Sequence, residues 1–136
     1  MRAYVDSSVV LRVAFGERAR LASWSKLRDP VTSELARVEC FRVVDRQRLA
    51  GELDDDEVAD RRDAVDEILS AFEIAVLDRR ILRRAAEPMP TSLRTLDAIH
   101  LASALAQRQR DSALRFATHD EQMAVAARAL GFRLLA

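Results

Sequence analysis

Short strand-like segments alternate with stretches of helical period along most of this chain. Strand character is found at residues 2–6, 31–33, 73–77, 114–118 and 132–135. Helical patterns are found at residues 8–15, 18–28, 34–50, 79–86, 96–109 and 121–130, with a further helix starting at a capping box formed by Asp54 and Glu57. This alternation is typical of a parallel sheet covered by helices on both faces. Ligands bind such folds outside the carboxyl ends of the strands, so functional residues are expected there.

The composition narrows the class of protein. A chain of 136 residues is long enough for one domain, 1–136, with its own core. Its 22 acidic and 22 basic residues cancel, which argues against wholesale wrapping of nucleic acid. One cysteine, Cys40, and two histidines match no zinc-ligand spacing, and Cys40 is expected to be a small buried side chain. The absence of a long apolar run predicts no membrane contact and a cytoplasmic location.

Two aspartates follow predicted strands. Asp6 ends the first strand, and Asp120 comes directly after the fourth, at the start of the next helix. Both therefore belong at the carboxyl edge of the sheet. Aspartate is also a favoured helix N-cap, because its side chain accepts hydrogen bonds from free backbone amides. For either residue alone, capping explains the position as well as a functional role does.

Two further acids lie on helices with apolar patterns. Glu39 lies in or beside the stripe of its helix that faces the core, and Asp97 opens a helix whose neighbouring residues are nearly all apolar. A buried carboxylate is costly unless it is paired, protonated or bound to a metal. The alternatives are an ion pair between Glu39 and Arg42, and a capping role for Asp97.

Converging carboxylates are the ligands that hard divalent cations prefer. Such ions activate water and stabilise the leaving oxygen in phosphodiester hydrolysis, which needs no nucleophilic serine or cysteine. His100 and His119 are interpreted as surface or packing residues. His119 is the better candidate for a general base, because it adjoins Asp120.

Four motifs in this order resemble those of the PIN domain, and specifically the VapC toxins of bacterial toxin–antitoxin pairs. They are Tyr4-Val5-Asp6-Ser7-Ser8-Val9, Ser33-Glu34-Leu35-Ala36-Arg37-Val38-Glu39, Leu96-Asp97-Ala98-Ile99-His100-Leu101-Ala102 and Thr118-His119-Asp120. The last is followed by an alanine-rich helix that ends at Gly131-Phe132. The first motif alone is weak, but together the four span essentially the whole chain.

The resemblance implies a three-layer α/β/α fold around a parallel sheet of about five strands. It also implies an Mg²⁺- or Mn²⁺-dependent endoribonuclease, a homodimer, and inhibition by a cognate VapB-type antitoxin. Carried over by position, the acidic quartet and metal ligands are Asp6, Glu39, Asp97 and Asp120. Ser8 and Thr118 match the family's accessory hydroxyls. Glu34 and Glu121 are rival acids.

Other features allow less specific interpretations. Arg79, Arg80, Arg83 and Arg84 stack at four-residue spacing on one short helix. A solvated helix face is the default, and a rim that receives RNA phosphates is the functional alternative. An aspartyl phosphatase or a receiver domain is disfavoured, because Ser8 occupies the place of the second acid and Lys26 is the only lysine. A catalytically inactive PIN-fold binding module remains the alternative function.

Overall fold

The computed structural model describes residues 1–135, and these residues form a single parallel sheet flanked by helices. The strands are β1 (Ala3–Val5), β2 (Val31–Ser33), β3 (Glu73–Ala75), β4 (Arg115–Ala117) and β5 (Leu134–Leu135). The helices are α1 (Ser7–Ala14), α2 (Glu34–Leu49), α3 (Asp55–Ser70), α4 (Arg79–Ala85), α5 (Thr95–Arg108) and α6 (Glu121–Ala129). Each strand lies within a segment that the sequence predicts as a strand.

The order of the strands makes β1 the centre of the sheet. The order is β3-β2-β1-β4-β5 with every pair parallel, and Tyr4 of β1 lies opposite Val31 of β2 and Phe116 of β4. The chain moves outward from β1 to β3 in one direction and from β4 to β5 in the other. The carboxyl ends of β1 and β4 therefore flank the point where the topology switches, which is the expected location of a ligand site in a sheet of this kind.

Alternate residues of β1 belong to two separate cores. Ala3 and Val5 pack with Val9 of α1, and all three side chains are inaccessible to solvent. Tyr4 points to the other face, into a cluster that contains Leu101 of α5. This period of two places α1, α2 and α3 on one face of the sheet, and α5 and α6 on the other. The predicted three-layer α/β/α sandwich with five parallel strands is confirmed.

Local chemistry explains several element boundaries. Asp54 and Glu57 form the predicted reciprocal capping box at the start of α3. Gly51, with a φ of 73°, terminates α2 in the left-handed conformation. Cys40 is buried, as predicted, and has a free thiol. Across the described part of the chain, the helices lack the length and hydropathy needed to cross a bilayer.

The prediction of a helix at residues 18–28 is wrong. This segment contains only a 3₁₀ turn at Trp24–Lys26, where the amides of Trp24, Lys26 and Leu27 donate to carbonyls three positions earlier. Leu21 is buried and the Trp24 ring lies 6.0 Å from that of Phe72, so two anchors hold the segment against the core. These tertiary contacts favour an irregular loop over a solvated helix.

Candidate metal centre

Asp6 lies directly beyond β1, and both of its carboxylate oxygens accept hydrogen bonds. Oδ1 accepts from the Ser8 hydroxyl at 2.5 Å and from the backbone amides of Ser8 at 3.0 Å and Val9 at 3.4 Å. Oδ2 accepts from the Thr118 hydroxyl at 2.5 Å. The residue is only 4% exposed. Asp6 thus caps α1, as the capping interpretation expects, and it also presents a fixed carboxylate at the centre of the sheet edge.

The two hydroxyls that hold Asp6 also join it to the loop between β4 and α6. The Ser8 oxygen accepts from the His119 amide at 3.0 Å, and the Thr118 oxygen accepts from the Asp120 amide at 3.0 Å. Each hydroxyl therefore donates to the carboxylate and accepts from the backbone. This arrangement gives Ser8 and Thr118 the contacts expected of the family's accessory hydroxyls.

The negative charge of Asp6 is incompletely compensated. Burial raises the pKa of its carboxyl group above the ordinary value of 3.8, and the hydrogen bonds from Ser8 and Thr118 act in the opposite direction. An ionised carboxylate in this position is stabilised further by any cation that reaches it.

Asp97 lies in the first turn of α5, but it does not cap that helix. The N-cap residue is Arg94, and no side chain caps this end of the helix, so the capping alternative for Asp97 is wrong. Burial and then the charge of Asp120 raise the pKa of Asp97, and Asp6 adds to the effect. The nearest base is Arg94, whose Nε lies 3.9 Å from Oδ2 of Asp97 and whose side chain is 89% exposed. The three aspartates therefore share one region of negative potential.

Asp120 combines two roles. Its Oδ1 accepts from the Met123 amide at 2.8 Å and so caps α6. Its charge also raises the pKa of Asp97, which places the two side chains within electrostatic range. Capping and membership of an acidic cluster are thus compatible at this position.

Glu39 contacts His100, and the alternative ion pair with Arg42 is wrong. Arg42 instead pairs with Asp45 at 3.1 Å. Oε1 of Glu39 forms a short hydrogen bond with Nε2 of His100, whose side chain is 1% exposed. Burial raises the pKa of Cys40, and the charges of Glu39 and Asp6 add to this effect. Glu39 thus lies beside the acidic region.

The sequence did not identify His100 as part of this site. Its burial agrees with a packing role, but both of its ring nitrogens have polar partners. His119 is a weaker candidate for a base than expected, because its Nε2 is enclosed without a hydrogen-bond partner among residues 1–135. Burial, followed by the charge of Arg12, lowers the pKa of His119.

The rival acids lie in other surroundings. Glu34 accepts a hydrogen bond from the Leu77 amide at 3.1 Å and is therefore engaged beyond the end of β3. Glu121 is exposed in the first turn of α6. Neither environment resembles that of Asp6, which is buried and held by hydroxyl and amide donors.

The arginine cluster is separated from the acids along α5. Arg80 and Arg84 line a groove of about 700 Å³ together with Ala102 and residues 105–110 of the chain. Gln107, in the middle of that stretch, is about 15 Å along the helix axis from Asp97 at 1.5 Å per residue. The structure therefore assigns Arg80 and Arg84 to a neighbouring groove, whereas Arg79 and Arg83 are exposed on the same helix.

The donor set suits a hard divalent cation. It consists of carboxylate oxygens, and burial followed by the charges of Asp120 and Asp6 raises the pKa of Asp97. In the conformation described for residues 1–135, no three acidic, histidine or cysteine side chains are close enough to enclose an ion directly. Magnesium retains several waters and is usually bound by one or two carboxylates together with substrate phosphate, so such an open arrangement fits it.

The chain belongs to the PIN domain family, because the model of that family matches residues 3–129. Among curated proteins it is similar to ribonuclease VapC46 of Mycobacterium tuberculosis, with 37% identity over 98% of this chain and 95% of the relative. It is also 31% identical to ribonuclease VapC47 of M. tuberculosis, over 95% of this chain and 92% of that protein. The chain is therefore a PIN domain of the VapC type.

Two solved structures share the fold. A toxin–antitoxin complex from Klebsiella pneumoniae contains a chain that superposes with a TM-score of 0.66 at 19% identity, covering 90% of each chain. The protein PAE2754 of Pyrobaculum aerophilum superposes with a TM-score of 0.63 at 20% identity, over 93% of this chain and 79% of that one. At these identities the likeness supports the PIN fold.

Proposed function

We propose that this protein is the ribonuclease toxin of a toxin–antitoxin pair and that it hydrolyses RNA phosphodiester bonds with the help of Mg²⁺ or Mn²⁺. The observation that carries the proposal is the gathering of three aspartates at the carboxyl edge of the sheet, with the pKa of both Asp6 and Asp97 raised. The names of the M. tuberculosis relatives support the activity on RNA.

Each acid has a distinct part in the proposed mechanism. Asp6, held by Ser8 and Thr118, provides the fixed carboxylate, while Asp97 and Asp120 add charge on either side. Glu39 completes the ligand set from α2. The bound cation would supply an activated water and charge stabilisation at the leaving oxygen.

A VapB-type antitoxin is the expected partner. The negative potential of the acidic region favours an inserted arginine, whose planar group engages two carboxylate oxygens at once. Apolar residues flank two of the acids in the sequence and are exposed, with Val38 at 59% and Leu96 at 44%. These side chains would contact an apolar helix or extended segment of the antitoxin around the arginine.

A homodimer is also part of the proposal. Exposed apolar side chains continue from β3 into α4, where Ile74 is 41%, Val76 65% and Leu82 48% exposed. A second copy of the chain would cover this surface. Light scattering on the purified protein tests the assignment.

The decisive experiment is cleavage of total RNA by the purified protein in Mn²⁺ and in chelator. Cleavage that requires the ion, and that Asp6→Asn abolishes, is the expected result. Mapping the cut sites after pulse expression then identifies the substrate. If the wild type cuts no RNA with Mn²⁺ and does not arrest growth, the inactive PIN-fold binding module replaces the toxin.

A further inference from the structure

A buried pair of aromatic side chains connects the core to the candidate metal centre. Tyr4 is fully buried and His100 is 1% exposed, and their rings meet edge to face with centroids 5.8 Å apart. The Tyr4 hydroxyl lies 2.7 Å from Nδ1 of His100. Nε2 of the same ring contacts Oε1 of Glu39. His100 therefore spans the distance between a core tyrosine and one of the acids.

The direction of the hydrogen bonds follows from the chemistry of the three groups. An ionised carboxylate only accepts, so Nε2 of His100 carries a hydrogen and donates it to Glu39. In a neutral ring Nδ1 is then an acceptor, and the Tyr4 hydroxyl can donate to it. A phenol keeps its hydrogen at neutral pH, so the buried Tyr4 hydroxyl can act as this donor. The chain of donors runs from Tyr4 through His100 to Glu39.

We propose that His100, with its tautomer fixed by Tyr4, is a positioning residue that holds the Glu39 carboxylate in place as a metal ligand. This inference rests on the proposed function. In many metal sites, hydrogen-bond partners outside the ligand shell orient the ligands. Here the partner is the His100 ring, and the ligand that it orients is the Glu39 carboxylate.

Glu39 needs such a partner more than Asp6 does. The glutamate side chain has an additional rotatable bond, and its loss of freedom on ordering is correspondingly larger. The His100 contact fixes Oε1, while Oε2 has no hydrogen bond to any of the residues 1–135. The two arginines of α2 nearest to Glu39 in sequence have other partners, since Arg37 pairs with Asp66 and Arg42 with Asp45. Oε2 is therefore the oxygen available to a cation.

A purely structural role makes a different prediction. If the pair only satisfies polar groups in the core, any replacement of His100 should act through folding stability alone. Two amides separate the alternatives. Glutamine places a donor nitrogen near the position of Nε2, whereas asparagine reaches only that of Nδ1.

The test compares His100→Gln, His100→Asn and Tyr4→Phe by titration calorimetry with Mn²⁺ and by thermal melting without metal. We expect His100→Asn to weaken Mn²⁺ binding by about 10–100-fold, the range for removal of outer partners, and His100→Gln to recover most of that affinity. Tyr4→Phe keeps the ring and removes only the hydroxyl, so it provides the same test if a His100 variant does not fold.

Nitrogen-15 NMR of the metal-free protein supplies a readout that does not depend on the ion. The expected spectrum shows protonated Nε2 and acceptor Nδ1 in His100, with the Nδ1 signal altered by Tyr4→Phe. Equal Mn²⁺ affinity in wild type, His100→Asn and Tyr4→Phe would overturn the positioning role of His100, while the proposed function would stand. A wild type that binds no Mn²⁺ and cuts no RNA would overturn the proposed function, and the positioning role with it.

Discussion

Asp6 and Glu39 reach the same candidate metal centre by contrasting routes. Asp6 follows a central strand, and hydroxyl and amide donors close to it hold both of its oxygens. Glu39 extends from a helix, and one buried imidazole holds one of its oxygens. The strand edge thus provides a carboxylate whose position is set largely by local geometry. The helix provides one whose position depends on packing between distant segments.

Asp97 differs from both. Among residues 1–135 it forms an ion pair with Arg94, whose side chain is almost fully exposed, so solvent screens the interaction. Burial and the charge of Asp120 raise its pKa. In the proposed metal site, Asp6 would therefore be the preorganised ligand, and Asp97 would contribute charge that a bound cation balances.

The largest effect is expected from Asp6→Asn and Asp97→Asn. Each change removes a full charge from the ligand set and nearly preserves shape, so cleavage should fall about a thousandfold or more, on the order of 4 kcal/mol in the barrier. Mn²⁺ should raise the melting temperature of the wild type and have little effect on either variant. A wild type that gains no stability from the ion would contradict the metal site.

Glu39→Gln is expected to come next, with a loss of about a hundredfold in activity, on the order of 3 kcal/mol. The amide oxygen can still accept from His100, so the melting temperature should stay the same. Arg42→Ala is the matched control. Arg42 pairs with Asp45, so its replacement should leave cleavage unchanged. A lowered melting temperature with activity retained would assign Glu39 a structural role.

The Thr118 hydroxyl tests how rigidly Asp6 must be held. Thr118→Val removes a donor to Asp6 and an acceptor for the Asp120 amide, so we expect stability to fall by about 1–3 kcal/mol. Activity should fall by about 10–100-fold, as for other outer partners of a metal ligand. Thr118→Ser keeps the hydroxyl and is the control. Equal cleavage by the valine and serine variants would show that the bond to Oδ2 is dispensable.

The pH dependence of stability provides a smaller effect with a defined sign. The pKa of Asp6 is raised in the folded protein because burial disfavours its charge. The ionised group therefore costs stability at neutral pH, and this cost is relieved as the pH falls through the raised pKa towards 3.8. In metal-free protein, Asp6→Asn should be the more stable form at neutral pH, and its advantage should shrink as the pH approaches 4. An advantage independent of pH would contradict this interpretation.

Local patterns explain why much of the site could be predicted from the sequence. Asp6 and Asp120 follow short, mainly apolar segments that can be recognised as buried strands. Parallel strands bring their carboxyl ends to the same edge of the sheet whatever the details of packing. Glu39 and Asp97 interrupt apolar helix faces. The motifs carry all four acids in order along the chain, and this order makes the resemblance to the PIN family specific.

The contacts of His100 could not be derived in the same way. They join residues 61 and 96 positions apart, so they depend on how α2 and α5 pack over the sheet. One signal was present: Tyr4 lies in an otherwise apolar central strand, where a buried hydroxyl requires a partner. The loop at residues 18–28 was mispredicted because its anchors, Leu21 and Trp24, act through tertiary contacts.

The smallest effect is expected from the arginines of α4. It distinguishes a groove that binds RNA from a helix face that is only solvated. Arg80 and Arg84 line the groove against α5, while Arg79 and Arg83 do not, so the two double alanine variants carry the same change in charge. If the groove receives RNA phosphates, Arg80→Ala with Arg84→Ala should raise KM severalfold and leave kcat unchanged. The slope of the logarithm of the binding constant against the logarithm of salt concentration should also become shallower. The expected change is about 0.7 for each single-strand phosphate that the variant no longer neutralises.

The matched pair, Arg79→Ala with Arg83→Ala, should change KM and the salt slope much less. Arg84 also lies 3.6 Å from Glu87, so melting curves must show that the groove variant remains folded at the assay temperature. Equal changes in the two variants would mean that RNA senses only the overall charge of α4. No change in either would leave the four arginines as a solvated helix face, and would confine RNA recognition to the acidic edge and the surfaces beside it.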